Sequence, residues 1–285
     1  MIIGIPRALL YYRYKDLWRF FFTYLGCQLI FSPKTNKEIL ENGKRVLIDE
    51  SCLAMKIYMG HINYLIGKCD YILIPNLECI ESKSEVCPNF TVLDDLVNNI
   101  FNTKLLSYDI KKESKQRKSF LKTGVKLGFK RKKVKEAYKK AKKVIEQPII
   151  KNTNNMKILL VGHPYNIYDE YIGGPLVKLL NKLNIDIIYA HSKGDNYKKI
   201  SKSLSWTFNQ ELVNGIVENS DKVAGIILLS VFPCGPDSLV NEVIKKSIEK
   251  PIIELIIDEQ NSFVALETRI ESFIDILRGK SYENN

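Results

Sequence analysis

Apolar residues in this chain fall in short runs separated by stretches with helical spacing, and the two alternate along most of its length. Ile2–Ile5 is an apolar run ended by Pro6. Leu17–Leu25 carries helical spacing and stops at Gly26, and Cys27–Phe31 is a second run closed by Ser32-Pro33. Thr35 predicts the cap of a helix through Glu41, ended by Asn42-Gly43, and Ser51 the cap of a longer helix reaching about Gly67. Val46–Ile48 reads as a further short apolar run, and Tyr71–Pro75 as a strand. A linker at Pro148 and Asn152–Asn155 precedes a second alternation. Its strands are predicted at Lys157–Gly162, Ile185–Ala190, Val223–Val231 and Ile252–Ile257. Its helices are predicted at Pro175–Leu183, Ser205–Asn219, Ser238–Glu249 and Val264–Leu277. Strands alternating with helices predict parallel βαβ units, and near-continuous Ile, Leu and Val predict strands covered on both faces.

The expected fold is therefore α/β, with two Rossmann-like parallel-sheet domains, an interdomain cleft and a basic helical connector. The expected boundaries are 1–106, 107–155 and 156–285. A chain of 285 residues with 45% hydrophobic content suits two ordinary cores. Arg7, Arg13 and Lys15 interrupt the first apolar stretch, so no signal-peptide pattern is present. No window approaches the roughly 18 apolar residues of a membrane helix. A cytoplasmic protein without a membrane partner is the expectation.

The net charge of +11 changes the picture less than its size suggests. Between Lys111 and Lys143 stand sixteen Lys or Arg against two acids, Glu113 and Glu136, a larger excess than that of the whole chain. Runs of this kind usually form solvated helix faces, and few aromatics are interleaved here, so nucleic acid is disfavoured as a partner.

The candidate chemistry lies in the cysteines. Cys52, Cys87 and Cys234 stand in Asp49-Glu50-Ser51-Cys52, Glu85-Val86-Cys87-Pro88 and Phe232-Pro233-Cys234-Gly235-Pro236-Asp237, polar and turn-rich settings where a packing thiol is out of place. Thiols where loops enter helices suit metal or redox chemistry, because helix N-termini favour thiolate. The chain has no C-x-x-C, so any metal site must be assembled from distant segments. Cys27 and Cys69 belong to or border apolar strands and read as packing residues. Cys79, on the same loop as Cys87, is either a fourth ligand or a bystander.

Gly162-His163-Pro164-Tyr165-Asn166 leaves the end of a predicted strand and offers proton donors in His163 and Tyr165, or else a turn whose side chains satisfy one another. Gly173-Gly174-Pro175 opens a helix but lacks dinucleotide or Walker spacing. Ligands of doubly wound sheets gather beyond the carboxyl ends of the strands. Two facing Rossmann-like halves would thus let all three thiols converge, with His163, Tyr165, Lys56 and Glu259 as candidate cofactor-binding residues of the cleft wall.

Six ordered segments resemble the 2-hydroxyacyl-CoA dehydratase D-component-like family, in particular its CoA-dehydratase activase-related members. They are Ile3-Gly4-Ile5-Pro6-Arg7-Ala8-Leu9, Asp49-Glu50-Ser51-Cys52-Leu53, Val86-Cys87-Pro88, Gly162-His163-Pro164-Tyr165-Asn166, Pro233-Cys234-Gly235-Pro236-Asp237-Ser238, and Asp258-Glu259-Gln260 with Thr268-Arg269-Ile270-Glu271-Ser272-Phe273. The resemblance implies an iron–sulfur cluster, of 4Fe-4S type or double-cubane, held by three cysteines between two domains; here those are Cys52, Cys87 and Cys234. It also implies electrons supplied by an ATP-dependent activase. Dehydratase relatives use such an electron to form a ketyl radical from 2-hydroxyacyl-CoA. The leading expectation is an iron–sulfur redox protein. One alternative is a catalytic subunit of a 2-hydroxyacyl-CoA dehydratase or small-molecule reductase, with a second subunit or acyl-CoA as partner. A further alternative is a non-redox binding protein using the basic helices.

Overall fold

Strand and helix alternate through both halves of the chain in a computed structural model that describes residues 1–79, 84–143, 155–260 and 263–283. The chain divides into two units, Met1–Ile150 and Lys151–Asn285. The first contains β1 (Ile2–Ile5), α1 (Tyr11–Leu25), β2 (Gln28–Phe31), α2 (Lys37–Lys44), α3 (Leu53–Leu65), β3 (Tyr71–Leu77), α4 (Leu93–Ile100), β4 (Leu105–Ile110), α5 (Gln116–Lys126) and α6 (Arg131–Lys143). The second contains β5 (Lys157–Val161), α7 (Pro164–Ile167), α8 (Gly174–Lys182), β6 (Asp186–Tyr189), α9 (Thr207–Asn219), β7 (Gly225–Val231), α10 (Gly235–Ser247), β8 (Ile252–Ile257) and α11 (Phe263–Glu283).

Each unit holds a four-stranded, wholly parallel sheet. The orders are β2-β1-β3-β4 and β6-β5-β7-β8, the same topology twice. In each sheet the strand order reverses beside the first strand, between β1 and β3 and between β5 and β7. Doubly wound sheets place ligands outside the carboxyl ends at such a switch. The expected α/β architecture of two Rossmann-like sheets is what the chain forms.

Two local features were not read from the sequence. Val46–Ile48 is a turn with Ile48 69% exposed, so α2 leads to α3 without an intervening strand. Conversely, β4 is a strand although Ser107 and Asp109 break its apolar run. It is the edge of its sheet, and its burial alternates along Leu105–Ile110 as an edge strand's does. The expected linker at Pro148 and Asn152–Asn154 lies outside the described residues.

The basic stretch forms α5 and α6. Phe120, Val134, Ala137, Tyr138 and Ala141 are buried, while most of the lysines point outward. Phe120 meets Phe21 of α1 edge-on at 4.7 Å and Tyr138 at 5.3 Å. Nearby, Trp18 Nε1 donates to the Tyr108 hydroxyl at 2.6 Å, tying α1 to β4. A periodic apolar stripe thus turns a charge run into part of the core of the first unit.

Glycines let α2 and α3 touch backbone to backbone. A Cβ at Gly43 would lie 1.7 Å from the Lys56 carbonyl oxygen, and one at Gly60 would lie 1.8 Å from that of Ile39. The same helix pair buries His61, whose Nε2 pairs with Thr35 Oγ1 at 3.0 Å. Burial, with the Arg7 charge adding to it, lowers the His61 pKa to about 3. The unfolded chain takes up a proton near pH 6.5, whereas the native ring stays neutral until about pH 3. Stability is therefore complete above the unfolded value and falls as pH drops through this window, by at most about 1.4 kcal/mol per pH unit. Urea unfolding at several pH values is expected to give this slope, and His61→Gln to flatten it.

Candidate functional site

The three cysteines singled out by context occupy the same structural position. Cys52 is the N-cap of α3, Cys87 the N-cap of a short 3₁₀ turn at Pro88–Phe90, and Cys234 the N-cap of α10. In each case the cysteine carbonyl accepts the first bond of the helical turn: from Met55 and Lys56 at Cys52, from Phe90 at Cys87 and from Ser238 at Cys234. An N-cap side chain points toward the unpaired N–H groups of the first turn and the positive end of the helix dipole. In none of the three does the sulfur make a cap hydrogen bond to the turn that follows. All three thiols are half-buried, and none of the six cysteines forms a disulfide.

In the first unit, the chain before Cys52 is fixed by Lys56. This side chain is 2% exposed, and its Nζ donates to the Asp49 carbonyl at 2.7 Å. Lys56 thus lies one turn into α3 and braces the loop that presents the thiol. Cys87 is stiffened by Pro88 at the first helical position. Cys27 is buried, and burial pushes its thiol pKa up, as it does that of Cys69, whose Sγ contacts the Leu65 carbonyl at 3.5 Å. The Cys79 thiol donates to the Lys111 carbonyl on the neighbouring strand end.

In the second unit, a buried polar cluster fills the switch point. Gly162 brings the end of β5 against β7: a Cβ there would lie 2.7 Å from the Leu229 carbonyl oxygen. The next residue, His163, caps α7 and reaches across to α10, where its Nε2 lies 2.8 Å from Asp237 Oδ1. Asn209 of α9 donates to the same oxygen at 2.9 Å. Burial pushes the Asp237 carboxyl pKa up, but the His163 charge and hydrogen bonds from His163, Asn209 and Cys234 outweigh it and leave the pKa below its ordinary value. Cys234 and Asp237 stand three residues apart at one helix start. The carboxylate therefore holds the thiol from one side and the imidazole from the other.

Tyr165 stacks on His163, with centroids 4.9 Å apart and planes 17° from parallel, and Phe208 meets the ring edge-on at 6.0 Å. His163 Nδ1 and both amide atoms of Asn166 are buried and have no hydrogen-bond partner among the described residues. Buried polar atoms of this kind mark a place that an ordered water or ligand completes. The loop is otherwise self-satisfied: Asp169 Oδ1 accepts from the backbone of Tyr171 and Ile172. Glu259 is half-buried in the turn after β8.

Asp237 and Asn209 were not among the candidates read from the sequence. Asp237 stands 74 residues from His163 and Asn209 28 from Asp237, so no local spacing joins them. The available signal was Cys-x-x-Asp at a helix start, where an acid in the first turn is expected to face the cap. Within neither unit do the described residues bring three His, Cys, Asp or Glu side chains into a metal-holding group. Cys52 and Cys87 lie in the first unit and Cys234 in the second. Among the described residues, no helix is long and apolar enough to cross a membrane.

Two parallel sheets of identical strand order, each flanked by helices, define a doubly wound α/β protein. Residues 2–192 match the CoA enzyme activase uncharacterised domain, and the chain belongs to that family. The match includes Cys52, Lys56, Cys87, His163 and Tyr165; Cys234, Asp237 and Glu259 lie beyond it. No curated protein matches the chain.

Proposed function

We propose that this protein is an iron–sulfur redox component of a CoA-dehydratase type system, loaded with electrons by an ATP-dependent activase. The observation that carries the reading is the common placement of Cys52, Cys87 and Cys234 at N-caps of helical turns. Three half-buried thiols, each at the start of a helical turn, fit the donor set of a thiolate-bound cluster. Bound there, a cluster would supply low-potential single-electron transfer.

The chain's own residues do the rest. Lys56 holds the Asp49–Cys52 loop through its bond to the Asp49 carbonyl. Asp237 accepts the Cys234 thiol proton's hydrogen bond in the metal-free protein and anchors His163. The His163–Tyr165 stack stands ready to hold or pass a proton beside Cys234. That stack also favours a second reading, a catalytic subunit acting on a 2-hydroxyacyl-CoA or a small reducible molecule, since simple electron relay requires no proton donor.

Anaerobic reconstitution with ferrous iron and sulfide is expected to give a broad visible absorbance that dithionite bleaches. ATP plus an activase of this system should bleach it too. A protein that stays colourless under these conditions ends the proposal. Turnover of a 2-hydroxyacyl-CoA by the reconstituted protein with activase and ATP separates the catalytic reading from the relay.

A further inference from the structure

A second polar site lies in the first unit, with no cysteine in its lining. Beyond the carboxyl ends of β1 and β2, Arg7, Tyr11, Lys15, Asp16, Arg19 and Phe31 enclose a cavity of about 230 Å³. Arg7 follows Pro6 directly after β1, and its backbone N–H donates to the buried Ser32 hydroxyl at 2.8 Å. Its guanidinium carbon stands 5.6 Å from the Phe31 ring centroid. Its Nε is buried and has no hydrogen-bond partner among the described residues. A buried guanidinium edge left without an acceptor is costly, and a planar oxyanion satisfies it with two parallel hydrogen bonds.

The rest of the wall matches an anion. Tyr11, Lys15 and Arg19 recur every four residues along α1 and so share one helix face. Tyr11 lines the same cavity as Arg7 and Arg19; burial raises its hydroxyl pKa, against which the Arg7 charge pulls down, Asp16 pushes up and Arg19 pulls down. Asp16 is the one acid of the wall and bonds Arg19 Nη2 at 3.2 Å. Counted together, Arg7, Lys15 and Arg19 against Asp16 give the lining a net charge of two.

We propose that this cavity is a phosphoryl-binding subsite that takes a dianionic phosphate group through Arg7, Lys15 and the Tyr11 hydroxyl. Two positive charges match a dianion better than a single carboxylate. The Arg7 fork suits its paired oxygens, and the carboxyl ends of β1 and β2 are where doubly wound sheets hold ligands. The cavity is smaller than the roughly 300–1,000 Å³ of a whole-ligand pocket, so it seats a headgroup. Tyr11 and Phe31 give it an aromatic wall for atoms attached to the phosphorus. No cysteine lines the cavity, so its test is separate from that of the cluster.

Titration calorimetry of the full chain at low ionic strength, where charge is least screened, tests the assignment. The probes are inorganic phosphate, phenyl phosphate and benzoate. Both phosphates are expected to bind, with benzoate at least about tenfold weaker. Tighter binding of phenyl phosphate than of phosphate identifies an ester as the natural occupant, and the reverse identifies free phosphate. Arg7→Lys keeps the charge but loses the fork, and is expected to weaken phosphate by about tenfold or more. Lys15→Ala, on an exposed position of α1 that folding does not need, is expected to weaken it about threefold to tenfold. Asp16→Asn is expected to tighten it. Wild-type protein that binds neither phosphate, equal binding of benzoate, or unchanged affinity in Lys15→Ala overturns the proposal.

Discussion

Asp237→Ala is expected to destabilise the second unit by about 4 kcal/mol, because it leaves His163 and Asn209 buried without their common acceptor. Removing one member of a buried, hydrogen-bonded pair costs far more than the pair contributes, since the surviving partner keeps its desolvation penalty. The effect is local to the switch point, where β5, β7, α9 and α10 meet, so amide exchange in Gly225–Val231 is the fitting readout. A double-mutant cycle with His163→Ala separates the pair from general packing. The account expects the double variant to lose much less than the sum of the singles. Additive losses, or a loss below about 1 kcal/mol, would show that the carboxylate is not held as described. The lowered Asp237 pKa adds a pH signature of defined sign. Its stabilising contribution is complete above the unfolded carboxyl value near 4 and is lost as pH falls through the native value.

Gly60→Ala is expected to destabilise the first unit by about 3 kcal/mol, against the helix-propensity gain of up to about 1 kcal/mol that alanine brings elsewhere. The sign is set by what the new methyl meets. It is the Ile39 carbonyl oxygen, part of a helix backbone that cannot rotate away. Gly43 makes the reciprocal contact on the Lys56 carbonyl, so α2 and α3 must separate if either glycine gains a side chain. Separation shifts the start of α3 and with it Cys52 and the Lys56–Asp49 brace. The chain's two tryptophans fall one to each unit, Trp18 and Trp206. A Trp206→Phe background therefore leaves Trp18 as the reporter of the first unit. An unchanged urea midpoint for Gly60→Ala in that background contradicts the close crossing.

The alternation of Ile, Leu and Val runs with helical stretches was enough to read two parallel sheets, because strands buried on both faces leave an unmistakable apolar signature. It failed where burial is one-sided or absent. Edge strand β4 carries Ser107 and Asp109 and so hides its pattern, and the short apolar run Val46–Ile48 forms a turn between α2 and α3. The cysteines were legible as site candidates because a thiol beside Ser51, Pro88 or Gly235 sits in helix-start chemistry that sequence alone displays. Their partners were not. Asp237 bonds His163, and Trp18 bonds Tyr108, across 74 and 90 residues of chain, and only the fold sets such distances. Arg7 likewise stood in view within Ile5-Pro6-Arg7, yet its role depends on Phe31 and on the face of α1, neither of which its immediate neighbours announce.

Iron and acid-labile sulfide content after anaerobic reconstitution, measured on wild type and on Cys52→Ser, Cys87→Ser, Cys234→Ser and Cys79→Ser side by side, bears most directly on whether these thiols act together. About four irons per chain in wild type and in Cys79→Ser, with large losses in each of the other three, is the predicted pattern. Equal iron in all five proteins, or dependence on Cys79 in place of Cys234, contradicts it.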